Sequence, residues 1–134
     1  MTVGVIRRDA ASAPFFEGTE QGELRIRGCG RCGHRSMPQS RQCPACRSTD
    51  LDWVASSGRA TVVSWAVVHG RPGPDGEPDR TVVALVELEE GPWLHAQLDV
   101  DPEAVTVGQA LQVRFDTPEG GEAVPVFEAV APGT

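Results

Sequence analysis

The hydrophobic rhythm of the chain changes twice. Leu24-Arg25-Ile26-Arg27 alternates apolar and basic side chains, the two-residue period of a half-buried strand. From Cys29 to Cys46 apolar residues almost vanish. Gly28, Gly30 and Gly33 supply turns there, and Pro38 and Pro44 break any helix. After Asp50 β-branched residues take over, and Thr61–Val68 and Thr81–Leu88 read as strands. Trp93–Leu98 follows across Glu89-Glu90-Gly91-Pro92, a spacing that predicts a hairpin. Ala110–Phe115 alternates Leu111, Val113 and Phe115 with Gln112 and Arg114, and Val124–Val130 reads as the last strand. Between the third and fourth of these five strands, Asp101-Pro102-Glu103-Ala104 predicts a helical turn capped by Asp101 and ending before Gly108. Five antiparallel strands at this spacing predict a small Greek-key barrel of the OB type.

Ahead of the ribbon, residues 1–11 read as a loose tail. Pro14 behind a Ser12 cap predicts a short helix, limited by Gly18 and Gly22 and held down by Phe15 and Phe16. The predicted organisation is a tail and short helix over 1–23, a metal ribbon over 24–50 and a barrel over 51–134, mainly β throughout. The stretch His69–Arg80, with three Gly and three Pro in twelve residues, predicts a mobile surface loop joining the first two barrel strands. Trp65 lies among valines and is expected in the core.

Composition adds bounds. The 134 residues suffice for one domain with a real core, and 40% hydrophobic with 23% charged residues is ordinary for a globular chain. No apolar run approaches the roughly 18 residues of a membrane helix. The first residues lack the apolar region of a secretory signal, so a reducing cytoplasm is expected. The formal charge of −7 divides unevenly: residues 1–50 carry eight Arg against five acids, residues 51–134 four Arg against fourteen.

Chemistry concentrates in the core-poor segment. Cys29-Gly30-Arg31-Cys32 and Cys43-Pro44-Ala45-Cys46 are two Cys-x-x-Cys turns separated by ten residues. Each turn brings two sulfurs to one ion, and four thiolates make the tetrahedral set that suits zinc. No position stays open for water, so the site is structural. Gly33 relieves backbone crowding after the first pair; Arg47 takes that place in the second. A redox Cys-x-x-Cys belongs beside a βαβ pattern, which is missing, and the gap is short for a rubredoxin iron site. His34 reads as a surface residue.

The ordered set of motifs resembles the acyl-CoA-associated family long catalogued as domain of unknown function thirty-five. The residues that carry the likeness are Pro14-Phe15-Phe16-Glu17, Gly22-Glu23-Leu24, the two cysteine turns, Ser57-Gly58-Arg59-Ala60-Thr61-Val62, Val86-Glu87-Leu88-Glu89-Glu90-Gly91, Val107-Gly108-Gln109-Ala110-Leu111-Gln112-Val113 and Pro125-Val126-Phe127. The resemblance implies a rubredoxin-like zinc ribbon plus OB-fold. It also implies a non-catalytic accessory subunit of a thiolase-like enzyme, including the lipid-transfer-protein type of thiolase or aldolase, or of a hotdog-fold acyl-CoA hydratase. Such a subunit helps position coenzyme A, in some relatives during steroid side-chain degradation.

Candidate contact residues follow from both lines. Arg31, Arg35, Arg41 and Arg47 decorate the ribbon and have the forked donors that bind phosphate, or face a partner. If Leu94, Ala96 and Leu98 fill the barrel, Trp93 and His95 point outward, a partner-contact pair. A nucleic-acid binder of the ribbon or OB kind is the alternative. It needs a basic groove with stacking aromatics, whereas the barrel segment is acidic, so neither nucleic acid nor membrane is expected as partner. No Ser-His-Asp set, phosphate loop or open metal site marks an enzyme acting alone.

Overall fold

The computed structural model describes residues 5–72, 74, 76 and 78–130. Helix α1 (Ala13–Glu20) precedes strands β1 (Arg25–Cys29), β2 (Arg35–Ser36) and β3 (Leu51–Ala55), which form one antiparallel sheet in the order β2-β1-β3. Strands β4 (Arg59–Pro72), β5 (Pro78–Leu88), β6 (Trp93–Asp99), β7 (Ala110–Asp116) and β8 (Val124–Ala129) close a barrel in the order β4-β5-β6-β8-β7. The fold is mainly β, with one short helix, a four-cysteine ribbon and a five-stranded OB barrel, as the residue pattern predicts.

One pair departs from the antiparallel expectation. Strand β8 joins β7 antiparallel but meets β6 parallel, through Gln97↔Val126, Leu98↔Phe127 and Asp99↔Glu128. The crossover that closes the barrel brings β8 in beside β6 in the same direction. The break after β6 is a turn at 102–104. Asp101 accepts the Glu103 amide at 2.9 Å through its side chain and the Ala104 amide at 3.0 Å through its carbonyl.

The barrel core holds Val62, Val82, Val86, Leu88, Leu98, Leu111 and Phe127, and Leu24 and Ile26 join the same cluster. The first ribbon strand is therefore anchored in the barrel's core. Helix α1 packs on this core through Phe15 and is fixed further by Phe16 against Val124 and Val126 and by the Thr19 hydroxyl donating to the Ala123 carbonyl at 2.7 Å.

Three expectations need correction. The Ser12 side chain caps no helical amide; it is turned back, donating to and accepting from Asp9 in a local turn. Trp65 is not core but 39% exposed. It lies where β4, past a register shift between Val62 and Ser64, has left β7 and pairs only with β5. The stretch 69–80 is largely strand. The ladder continues through His69↔Arg80 to Pro72↔Pro78, and of the residues between these ends Gly73, Asp75 and Glu77 lie outside the described residues. Sustained cross-strand pairing with the valine-rich β5 overrides the Gly and Pro content, and proline is tolerated here at strand ends.

An ion pair straps the N-terminal segment to the β7–β8 turn. Arg8 donates through Nε and Nη2 to both carboxylate oxygens of Glu122, at 2.9 and 2.7 Å, and the Glu122 amide donates to the Ile6 carbonyl at 2.9 Å. The Arg8 hydrogen bonds hold the Glu122 carboxyl below its ordinary value of 4.5. A carboxyl lowered on folding stabilises the fold at neutral pH and loses that contribution as pH falls through its folded pKa. We expect the stability difference between wild type and Arg8→Gln, measured by denaturant unfolding, to be present at neutral pH and to shrink as pH falls from 4.5 through the lower folded pKa of Glu122. A difference independent of pH would show that the strap is not the cause.

Candidate functional site

The two Cys-x-x-Cys turns are built alike. In the first, the Gly33 amide donates to the Cys29 carbonyl at 2.9 Å, the Cys32 amide reaches the Cys29 sulfur at 3.5 Å, and the Cys29 amide donates to His34 at 2.9 Å. In the second, the Arg47 amide donates to the Cys43 carbonyl and the Cys43 amide to the Ser48 carbonyl, both at 2.8 Å. Both turns end in the left-handed region, at φ 78° for Gly33 and 66° for Arg47. Arg47 accepts the strain of a side chain there, and Gln42 Nε2 holds its carbonyl at 2.8 Å.

The turns bring all four sulfurs within 4.8 Å of one another, with Cys29–Cys46 and Cys32–Cys43 each at 3.6 Å. A disulfide requires about 2.05 Å. Thiolates on a tetrahedral zinc with bonds of about 2.3 Å stand roughly 3.8 Å apart, so the set fits such an ion. The thiols are unequal. The Cys32 amide draws the Cys29 thiol down to about 6 against the effect of burial. The His34 amide favours the Cys32 thiolate too, yet burial and the adjoining sulfurs outweigh it and push that thiol up to about 12. Burial opposes ionisation of Cys43, but the Cys46 and Ala45 amides lower it. Four anions cannot share this volume unaided; a cation among them is what the donor set accommodates.

The other candidates are spread out. Arg31, Arg35, Arg41 and Arg47 are exposed and in no ion pair among the described residues. Of the four, only Arg41 borders the cleft that His95 also lines, and Arg35 donates to the Gly33 carbonyl at 3.4 Å. His34 is exposed. Strand β6 faces as expected, with Leu94 and Leu98 buried, Ala96 half-buried, and Trp93 and His95 exposed. Trp93 donates through its indole N–H to Glu87 at 3.0 Å, while His95 forms part of the cleft wall.

That cleft, of about 740 Å³, lies between the N-terminal segment, the ribbon and strands β6 and β8. Two of its residues escape sequence reading. Arg27 and Trp53 face each other across β1 and β3, with the guanidinium 4.4 Å above the indole ring centroid. Only the strand register pairs them, and Leu51–Ala55 carries little signal of its own.

Residues 16–52 match the ChsH2 rubredoxin-like zinc ribbon domain, and residues 53–116 match the ChsH2 C-terminal OB-fold domain. A solved structure described as the Ltp2-ChsH2(DUF35) aldolase contains a chain 32% identical to this one, with a TM-score of 0.79, covering 92% of this chain and 98% of that chain. The chain belongs to the DUF35/ChsH2 family.

A DUF35 domain-containing scaffold protein of Pyrococcus furiosus is 36% identical over 87 residues, 63% of this chain and 64% of the relative. The alpha subunit of a 3-oxo-4,17-pregnadiene-20-carboxyl-CoA hydratase from Mycobacterium tuberculosis is 37% identical over 107 residues, 78% of this chain. The match spans a little under two thirds of the scaffold relative and a third of the hydratase subunit. A DUF35-family structure from Sulfolobus solfataricus, 17% identical with a TM-score of 0.61 and covering 90% of this chain and 86% of that one, shares the fold. The four-cysteine cluster thus sits in a zinc-ribbon domain and is consistent with a bound metal.

Arg47→Gly places the residue suited to φ 66° at the second turn. We expect stabilisation of about 0.5–1 kcal/mol in denaturant unfolding, the relief of left-handed strain partly offset by the greater entropy of glycine in the unfolded chain. Destabilisation would mean that the Arg47 side chain has a structural role outweighing its backbone strain.

Proposed function

We propose that this chain is a non-catalytic accessory subunit that binds and supports an acyl-CoA-processing enzyme, either a thiolase-like aldolase or thiolase or an acyl-CoA hydratase. The observation that carries this reading is the end-to-end likeness to a chain of the Ltp2-ChsH2(DUF35) aldolase. The hydratase alpha subunit and the scaffold protein among its relatives support the same role. The hydratase's name supports steroid side-chain acyl-CoA as one substrate class for the assembly. Arg31, Arg35, Arg41 and Arg47 are our candidates for the phosphates of coenzyme A or a partner surface, and Trp93 and His95 for partner contact. A cytoplasmic setting suits a thiolate site, which needs reducing conditions.

In this proposal Cys29, Cys32, Cys43 and Cys46 hold structural zinc. Four thiolates close the coordination sphere, so the ion orders the ribbon and activates no water. Structural zinc of this kind contributes on the order of 10–16 kcal/mol in small peptides, ample for a segment with little core.

Metal analysis of the purified chain should find one zinc per molecule, and a strong chelator should unfold the ribbon. A red protein with visible absorption would identify iron and overturn zinc. Affinity capture from the native host should recover a thiolase-like or hydratase enzyme in stoichiometric amount. Turnover of acyl-CoA by the chain alone would refute the accessory role.

A further inference from the structure

The cleft beside the ribbon combines an apolar interior with an incompletely satisfied cation. Phe15, Phe16, Trp53, Leu94 and Val126 line it. Its volume of about 740 Å³ falls within the range of small-molecule sites. At one wall Arg27 is held in place from two sides, by the Trp53 ring and by donation from Nη2 to the Leu51 carbonyl at 3.0 Å. Its Nε is buried without a partner, and its Nη1 has none among the described residues. A half-buried guanidinium with spare donors favours an anion, because a charge-assisted hydrogen bond offsets its desolvation.

The cleft's geometry also bounds the charge of that anion. With one Nη2 hydrogen on the Leu51 carbonyl and Nε shielded, Arg27 keeps a single open edge, the end-on one at Nη1 and Nη2. Arg41 adds a second cation to the lining. The acid there, Asp9, is bound to the amide and hydroxyl of Ser12, which keep it ionised. A polyanion would lose much hydration against these aromatic walls for few new bonds. A single carboxylate on an apolar body matches the donor count and the walls.

We propose that this cleft binds a small apolar carboxylic acid, its carboxylate on Arg27 and its hydrocarbon between helix α1 and strand β6. The site lies wholly within this chain and is independent of the partner assignment.

Calorimetric titration of the purified full chain with octanoate, octanol and octyl phosphate tests it. Octanoate should bind saturably with one-to-one stoichiometry and at least tenfold more tightly than octanol, and Arg27→Met should erase that preference. Equal affinity for octanol, tighter binding of octyl phosphate, or an unchanged preference in Arg27→Met overturns the proposal. Should Arg27→Met fail to fold, His95→Trp, on the outward face of β6 in the cleft wall, fills the cleft with Arg27 intact. It should abolish octanoate binding, and unchanged binding overturns the site. If octanoate does not bind and the emission of a Trp65→Phe/Trp93→Phe variant, which keeps Trp53 alone, responds only to a captured partner enzyme, the cleft is a protein interface and the proposal falls.

Discussion

Between Cys29 and Cys46 the backbone has almost no apolar side chain with which to order itself, and the convergence of four sulfurs takes the place of a core. Each turn closes through its own amides, and the sulfurs of one stand 3.6 Å from those of the other, a spacing consistent with a bound metal. The rest of the N-terminal half depends on this arrangement. Strand β1 enters the first turn at Cys29, and β3 leaves the ribbon directly after Asp50, so the cluster brings these two strands side by side.

From that pairing the ribbon gains its hold on the barrel. The alternation that runs from Leu24 into β1 sends Leu24 and Ile26 into the barrel core while Arg25 and Arg27 face the other way. The same strand therefore joins two unlike parts of the fold, the four-cysteine cluster and the hydrophobic core. A ribbon tethered only through a linker would be free to rotate; one whose strand contributes to the common core is fixed in orientation. This fixed orientation also forms the walls of the cleft between ribbon, helix and barrel.

Barrel closure carries its own constraint. Arg114 on β7 donates to Asp116 on its own strand, to Asp99 at the end of β6 and to Glu128 on β8. One guanidinium thus spans three neighbouring strands near the parallel β6–β8 seam, where pairing is confined to three rungs. The acidic charge of the barrel is partly organised into this network, a use of charge that net composition does not reveal.

The spacing of Cys29, Cys32, Cys43 and Cys46 determined the ribbon, and period-two runs of β-branched residues determined the five barrel strands, because both are local patterns with a direct structural consequence. The facing of Trp93 and His95 was legible for the same reason. What local pattern could not convey was decided by pairing across the chain. Trp65 is exposed because β4 has parted from β7 there, and the Gly- and Pro-rich stretch stays in the ladder because β5 holds it. The Ser12 hydroxyl turned to Asp9, a choice between two nearby partners. The Arg27–Trp53 stack exists only through the register of β1 on β3, a contact that no sequence window contains.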